Sequence, residues 1–282
     1  MYTEKQARLI SIALRAQAIG DAMGEDFEFE PYPDREELVD LIKSDKVIHI
    51  TDDTQMTMFG LEAMIMGGPD TVIKHYLMWD KTQHYGTSLP PMGSSQLLVD
   101  QIKMWQVRAP GNTCLHSLYK LLTGNHVANN SNGCGTVMKA LPFLFEENSD
   151  LLKNISFATH KGPQIIPTAI KQWEVANKLL RKEKLNMYEG KPIAEVFGDG
   201  GWQAEPCLNI AIWAFENCQG DFNKMLELSI LHSGDSDSVA ATAGVLYGLF
   251  YETYPADLYD RIHEKDVIDM LLKRMENSVV IS

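Results

Sequence analysis

Apolar residues recur every three or four positions along most of this 282-residue chain, which is the spacing of amphipathic helices. One such run extends from Leu9 to Ile19 and stops near Gly20 and Gly24. Another occupies residues 54–66 and is ended by the Gly-Gly-Pro sequence at 67–69. The same spacing predicts further helices at 71–80, 95–106, 114–122, 149–159, 164–184, 205–218, 222–231, 237–251 and 265–276.

Alternation of apolar and polar residues, the pattern of a surface strand, is scarce in this chain. The run VIHI at 47–50 could be extended, but one strand makes no sheet. Glu36 and Glu37 suit the solvated face of a short helix. No linker, charge block or internal repeat divides the sequence, and its 45% hydrophobic content suffices for a large core. We therefore predict an all-α fold, with one compact multi-helix domain over residues 1–282.

The formal net charge of −13 narrows the possible partners. Nucleic-acid binding normally needs a basic face, so we expect no nucleic-acid partner. Because an anionic surface repels phosphate, a phosphate-bearing ligand would need local donors such as a helix N-terminus. No apolar run reaches the ~20 residues of a membrane span, and the first residues begin an amphipathic helix rather than a signal peptide. The four cysteines form no CxxC pair, which argues against zinc and redox motifs. These features predict a cytoplasmic protein without a membrane partner.

Two short acidic clusters lie almost a whole chain apart. The first is TDDT at 51–54 and the second is HSGDSDS at 232–238, and each leads into an apolar helical run. Carboxylate and hydroxyl oxygens are the ligands of hard cations such as Mg²⁺ and Mn²⁺. If the fold brings the clusters together, they could hold two ions that activate water and bind a hydroxylated substrate.

Helix capping is the competing interpretation of both clusters, because Asp, Ser and Thr side chains accept hydrogen bonds from the free N–H groups at a helix start. A cap and a metal ligand are compatible roles, since the positive end of a helix also keeps carboxylates ionised. Asp235 and Asp237 can converge only if Asp235 lies in a turn and Asp237 opens the helix. The small residues at 239–244 would let another helix approach closely. Asp21 could either cap a helix or support the site from behind.

Four segments occur in a fixed order along the chain. They are GDAMG at 20–24 with Glu28 after it, TDDT at 51–54, NSNGCGTVMK at 130–139, and HSGDSDS at 232–238. In content and order they resemble the ADP-ribosylglycohydrolase family, also called the ADP-ribosylhydrolase or dinitrogenase-reductase-activating glycohydrolase family. The pattern of that family runs GDAxG…E, TDDT, GxGxxM[RK] and HxGDxD[ST]. The resemblance extends from about Gly20 to Gly248.

This resemblance implies an all-α fold with two Mg²⁺ or Mn²⁺ ions at the base of a cleft. Matching the motifs position by position implies a set of metal ligands, a set of substrate contacts, and a general base that is either Glu28 or Asp53. The implied metal ligands are Thr51, Asp52, Asp53, Asp235, Asp237 and Ser238. The implied substrate contacts are Gly93, Ser94, Ser131, Gly133, Cys134, Gly135, Met138, His160 and His232.

The implied reaction is metal-dependent hydrolysis at the anomeric carbon of an ADP-ribosyl group, through an oxocarbenium-like transition state. We expect ADP-ribosyl-arginine on a protein as the substrate, with serine-linked ADP-ribose, a nucleic-acid adduct or a small ADP-ribose compound as alternatives. A second interpretation is an immunity-type binding protein that blocks a toxin ADP-ribosyltransferase through residues 185–201. A third is an unrelated two-metal phosphohydrolase, which would release phosphate and no ADP-ribose.

Several positions depart from the family pattern or have a second interpretation. Lys139 stands where the family loop usually has an arginine, which can hold phosphate with two parallel donors. Pro91 stands where some relatives have an acidic residue. Apart from the resemblance, the sequence favours a structural role over a cleft-lining role for His160 and His232. Cys134 has no base beside it in the sequence, and we interpret it as a small loop residue rather than a nucleophile.

Overall fold

A computed structural model describes residues 2–84 and 95–279 of the chain. All regular elements in these two ranges are helical, and isolated bridges join Ile48 to Ile262 and Gly133 to Gln203 without forming a strand. The predicted all-α class is confirmed. The α-helices of the described residues are α1 (Glu4–Gly24), α2 (Arg35–Lys43), α3 (Asp52–Met66), α4 (Val72–Thr82), α5 (Asn112–Leu122), α6 (Asp150–Thr159), α7 (Ile165–Leu180), α8 (Ala204–Asn217), α9 (Phe222–Ile230), α10 (Ser236–Tyr251), α11 (Ala256–Tyr259) and α12 (Lys265–Asn277).

Helices α1 and α10 pack against each other along most of their lengths, with their backbones in contact. A Cβ atom on Gly20 would lie 2.2 Å from the carbonyl oxygen of Ala240, and one on Gly244 would lie 2.4 Å from that of Ala16. Only glycine fits at these positions without moving a backbone. The small residues of α10, from which we predicted the close approach of another helix, therefore lie in the interface with α1.

One predicted helix is wrong. Residues 95–106 form two 3₁₀ turns, Leu98–Asp100 and Ile102–Met104, instead of a continuous helix. The backbone N–H of Leu98 donates to the buried carboxylate of Glu62 at 2.9 Å, so a tertiary contact replaces the helical hydrogen bond. Helix α7 ends at Leu180, before the predicted residue 184. Two residues after this end, Lys182 adopts a left-handed φ of 60°.

The buried apolar side chains form one continuous cluster that extends from Tyr2 to Met275. Trp79, Tyr76 and Phe59 are among its largest fully buried members. Helix α3 is buried along nearly all of its length, so the core holds the first acidic cluster in place. Within the two described ranges, no helix is both long enough and apolar enough to cross a membrane.

Candidate active site

Both acidic clusters lie at helix N-termini. Thr51 is the N-cap of α3, and its hydroxyl accepts a hydrogen bond from the N–H of Asp53 at 3.3 Å. Asp235 is the N-cap of α10, and its carboxylate accepts from the N–H of Ser238 at 3.3 Å. Asp235 therefore lies in the turn and Asp237 in the first helical turn, which is the arrangement that lets their carboxylates converge. The helix caps and the candidate metal ligands are the same residues.

Asp21, in the last turns of α1, holds the start of α3 from behind. Its buried carboxylate accepts hydrogen bonds from the N–H of Thr51 at 3.0 Å, the hydroxyl of Thr51 at 2.7 Å and the N–H of Thr54 at 3.1 Å. Burial, reinforced by the nearby charge of Asp237, raises the pKa of Asp21 to about 7. Asp21 thus caps α3 and lies directly behind the acidic cluster, so both of the roles considered for it apply.

Three carboxylates from distant parts of the chain meet at one point. Oxygen atoms of Glu28, Asp235 and Asp237 lie within 4.8 Å of one another, although more than 200 residues separate Glu28 from the two aspartates. The close packing of α1 on α10 produces this meeting, because Glu28 follows the end of α1. A Cβ atom on Gly24, the last residue of α1, would lie only 2.5 Å from the Cα of Asp237.

Asp52 and Asp53 line the same cavity as these three residues. Burial, followed by the charge of Asp237, raises the pKa of Asp52 and the pKa of Asp53 well above the usual range. The same two causes raise the pKa of Asp235 and raise the pKa of Glu28 to about 8. Burying several carboxylates together is unfavourable for their charged forms unless a cation compensates them.

The donor set fits a hard divalent cation. The Oδ2 atom of Asp53 is buried and has no hydrogen-bond partner among the described residues. A buried carboxylate oxygen in this position is costly unless a donor or a cation binds it. The carboxylates of the cluster, together with the Ser238 hydroxyl beside them, are the oxygen ligands that Mg²⁺ and Mn²⁺ prefer.

The carboxylate cluster forms one wall of an open cavity of about 530 Å³, a volume typical of small-molecule sites. A larger cavity of about 790 Å³ lies between the start of α1 and the end of α12, but it contains none of the predicted site residues. The predicted residues that line the smaller cavity are Glu28, Asp52, Asp53, Gly133, Cys134, Gly135, Met138, His160, Asp235, Asp237 and Ser238.

Two predicted residues support the cavity without lining it. The hydroxyl of Thr51 is buried between the carboxylates of Asp21 and Asp237. The hydroxyl of Ser131 accepts a hydrogen bond from the N–H of Gly133 at 3.2 Å, which stabilises the turn into the loop at 133–138. Both side chains hold backbone or carboxylate groups that face the cavity.

Other positions of interest lie apart from the cavity. The Nε2 atom of His232 is 3.0 Å from the carbonyl oxygen of Gly200, so this ring holds the turn before Asp235. Lys139, which replaces the usual arginine, is fully buried and is not one of the described residues that line the cavity. The predicted substrate contacts Gly93 and Ser94, like Pro91, lie outside the described residues.

Cys134 and His160 face the cavity as neutral groups. The thiol of Cys134 donates a hydrogen bond to Oδ2 of Asp235 at 2.8 Å. Burial and the charge of Asp235 raise the pKa of Cys134 well above its usual range, so the thiol stays protonated and is a poor nucleophile. Burial and the charge of Lys139 lower the pKa of His160 to about 3, which keeps its ring uncharged at neutral pH.

The wall of the cavity formed by residues 109–114 was missed from the sequence. The N–H of Asp52 donates to the carbonyl oxygen of Arg108 at 3.0 Å, which holds this segment against the acidic cluster. Helix α5 begins in the segment, and the N–H of its N-cap residue Gly111 donates a hydrogen bond to Oδ2 of Asp52 at 3.4 Å. The Pro-Gly pair at 110–111 before a helical run was the available signal. The other lining residues that were not predicted are Phe29 and Trp202.

Comparison with known families covers nearly the whole chain. The sequence pattern of the ADP-ribosylglycohydrolase family matches residues 3–184 and 158–280. The chain belongs to this family. The resemblance carried by the four motifs is therefore confirmed. The protein is a hydrolase of the ADP-ribosylglycohydrolase type, and members of this family act on ADP-ribosylated substrates.

The ADP-ribosylglycohydrolase fold is also found by comparison of structures, in which 44 chains of solved proteins match. One of them, an ADP-ribosylglycohydrolase-related protein complex, has a TM-score of 0.70 and 20% sequence identity, over 98% of this chain and 99% of that chain. At this identity the likeness shows the fold alone. No curated protein sequence gives a significant match.

Proposed function

We propose that this protein is a divalent-metal-dependent hydrolase that releases ADP-ribose from ADP-ribosyl-arginine on a protein. The observation that carries the proposal is the convergence of Glu28, Asp235 and Asp237 within 4.8 Å, in one cavity with Asp52 and Asp53. Separate helix caps would have no reason to meet across more than 200 residues of chain. Ions held by the aspartates, with Glu28 beside them as a base, would account for the convergence.

In this proposal Asp52, Asp53, Asp235 and Asp237 hold two Mg²⁺ or Mn²⁺ ions, with the hydroxyls of Thr51 and Ser238 completing the oxygen set. When bound, the ions supply positive charge that orients the ribose hydroxyls and favours deprotonation of a nearby water. Cys134 orients the carboxylate of Asp235 through a direct hydrogen bond. Asp21 fixes the start of α3, which carries the first acidic cluster, by accepting a hydrogen bond from the N–H of Thr54. The number and the identity of the ions are part of the proposal.

Glu28 is the better candidate for the general base. Its side chain is half-buried at the cavity wall, where a water molecule and a substrate can both reach it. The side chain of Asp53 is only 2% exposed and has the unpartnered oxygen that suits a metal ligand. Glu28 would take a proton from the attacking water while the ribosyl bond breaks.

The cavity wall at residues 109–114 suits the diphosphate of ADP-ribose. Asn112 and Thr113, in the first turn of α5, line the cavity, and the N–H groups of a first helical turn have no partner within their own helix, whereas the N–H of Gly111 already donates to Asp52. A helix N-terminus binds anions through these groups and the helix dipole. It is a local donor of the kind that a chain with a net charge of −13 needs in order to bind phosphate.

Arginine as the modified residue is favoured by charge. The leaving arginine carries a guanidinium group, and the five carboxylates that line the cavity exceed by one negative charge the four positive charges of two divalent ions. A cationic leaving group would therefore be attracted to this side of the cavity. A neutral serine would gain nothing from the same surroundings.

One incubation series tests the proposal. Protein carrying ADP-ribosyl-arginine is incubated with the enzyme in Mg²⁺ or Mn²⁺, with and without EDTA, and free ADP-ribose is measured; serine-linked ADP-ribose and nucleotide phosphates are run in parallel. We expect ADP-ribose from the arginine linkage that EDTA abolishes. Release that is insensitive to chelation, or phosphate release without ADP-ribose, would contradict the proposal.

A further inference from the structure

An exposed segment rich in aromatic and acidic residues begins at the opening of the cavity that contains the carboxylate cluster. We define the mouth segment as residues 29–37, which follow Glu28 and include the first three residues of α2. Phe29 is 71% exposed and stacks on Trp202, with ring centroids 5.0 Å apart and planes 24° from parallel, and both side chains line the cavity. Tyr32 is 90% exposed. The stacked rings of Phe29 and Trp202 present apolar surface at the cavity, which is a feature of interaction sites.

The mouth segment also carries negative charge without matching positive charge. Glu30, Glu36 and Glu37 are exposed, and no cation of the described residues lies within the 4 Å of an ion pair with any of them. The single basic residue of the segment, Arg35, is already paired with Glu227 at 2.8 Å. The charges of the segment are therefore available to a partner.

The backbone of the mouth segment is held before any partner arrives. Pro31 and Pro33 fix two φ angles. The N–H of Glu30 donates to the carbonyl oxygen of Phe27 at 3.2 Å, and the carboxylate of Asp34 accepts from the N–H of residue 36 at 2.8 Å to cap α2. A surface ordered in advance loses little entropy on binding.

We propose that the mouth segment docks a cationic stretch of the polypeptide that presents the modified residue to the cavity. Guanidinium and ammonium groups would pair with Glu30, Glu36 and Glu37 and stack on the exposed face of Tyr32. Nucleic acid would be repelled by the same carboxylates, and so would a second copy of a chain with a net charge of −13. An apolar partner would leave the carboxylates desolvated and unpaired. The inference rests on the proposed function, because the docked stretch belongs to the ADP-ribosylated protein.

Direct binding tests the docking separately from hydrolysis. Anisotropy of a fluorescein-labelled Arg-Gly repeat peptide is measured with the wild-type protein and with the double variant Tyr32→Ala/Glu30→Gln, whose altered side chains are both exposed. We expect at least about fivefold weaker binding by the double variant, since each surface ion pair or cation–π contact gives a modest gain. Glu30→Lys alone is expected to weaken binding more than Glu30→Gln does, because it adds repulsion.

The matched control removes one exposed tyrosine and one exposed glutamate elsewhere, in Tyr119→Ala/Glu189→Gln. Neither residue lines the cavity, and binding by this variant is expected to stay within about twofold of wild type. An equal loss in the control would mean that diffuse net charge alone attracts the peptide, and the docking proposal would then be wrong. Unchanged binding by the Tyr32 and Glu30 variants would overturn it as well.

Hydrolysis gives a second readout. The ratio of kcat/KM for an ADP-ribosylated Arg-Gly peptide to kcat/KM for free ADP-ribosyl-arginine is expected to fall at least about fivefold in the double variant, mainly through KM. Equal losses on both substrates would refute docking, because the mouth segment would then act on the cavity itself. Segment-dependent peptide binding without hydrolysis of either substrate would refute the proposed function and leave the docking intact.

Discussion

The contact between Gly24 and Asp237 connects helix packing to the geometry of the candidate active site. A Cβ atom added at Gly24 would lie 2.5 Å from the Cα of Asp237, 2.6 Å from its N and 2.6 Å from the carbonyl oxygen of Ser236. All three are backbone atoms, so no side-chain rotation can relieve the clash. Gly24→Ala must therefore push the start of α10 away from the end of α1, and Asp237 and Glu28 move apart.

The size of the displacement follows from the contact distance. Ordinary contact begins near 3.4 Å, so the two backbones must separate by about 0.9 Å. A misplacement of about 1 Å in a catalytic constellation costs about 10²-fold in rate. Overpacking of a core costs about 1–3 kcal/mol, which the better helix propensity of alanine offsets by at most about 1 kcal/mol. The net cost is therefore about 0–3 kcal/mol, and we expect Tm to fall by up to roughly 12 °C, since 1 kcal/mol corresponds to about 2–4 °C in a chain somewhat shorter than this one.

Gly248→Ala separates the effect on the site from the effect on packing. Its Cβ atom would lie 2.7 Å from the Cα of Ala13, a similar backbone clash in the same interface, but roughly 16 Å along α10 from Asp237. The assay is ADP-ribose release under saturating Mn²⁺, together with thermal melts of both variants. We expect similar losses of Tm, a loss of about 10²-fold in kcat/KM for Gly24→Ala and less than about threefold for Gly248→Ala. Equal activity losses, or normal turnover by a destabilised Gly24→Ala protein, would refute the reasoning.

Three further predictions concern the carboxylates themselves. Asp237→Ala is expected to lower kcat/KM at least ~10²-fold, because loss of a metal ligand or of its support has effects of this size; near-normal steady-state release of ADP-ribose would rule out the metal mechanism. Glu28→Gln should lower kcat with little change in the Mn²⁺ concentration that gives half-maximal activity. Asp53→Asn should raise that Mn²⁺ concentration at least ~10-fold, because it alters a metal ligand. The opposite pattern would make Asp53 the general base and Glu28 a metal ligand. In EDTA, the pKa is raised to about 7 for Asp21 and to about 8 for Glu28. Between about pH 5 and pH 8 the folded protein therefore keeps protons that the unfolded chain has released. Because these protons are lost as the pH rises, the stability of the folded protein falls over this range. We expect Tm to fall over this range by roughly 2–8 °C more in EDTA than in saturating Mn²⁺, as followed by circular dichroism; parallel pH profiles in the two conditions would mean that no cation neutralises the cluster.

The helices could be predicted from the sequence because helical periodicity and caps are local. Thr51 and Asp235 precede apolar runs, and the structure has both as N-caps. The exception, residues 95–106, has a helical pattern but is held by the distant carboxylate of Glu62, which accepts the N–H of Leu98. A contact across the core therefore overrode the local preference.

The site was predictable to the extent that its chemistry lies in short motifs. The order of the four segments identified the family, and most residues that they implied lie around one cavity. His232 illustrates the limit, because only the fold shows that its ring contacts Gly200 instead of the cavity. The wall at 109–114 and the Phe29–Trp202 stack had no recognised motif, since their proximity to the aspartates arises from chain paths that converge in space.

The amino-acid sequence by itself determined that this chain is helical, that α1 and α10 contain glycine and other small residues, and that its carboxylates gather at helix starts. These features depend on neighbours a few positions apart, and the residue types are sufficient to produce them. Only the tertiary structure decided which carboxylates meet and which side chains face them. Glu28 reaches Asp237 because the glycines let two helices touch through their backbones, and the distance across such a contact depends on the packing of the whole core.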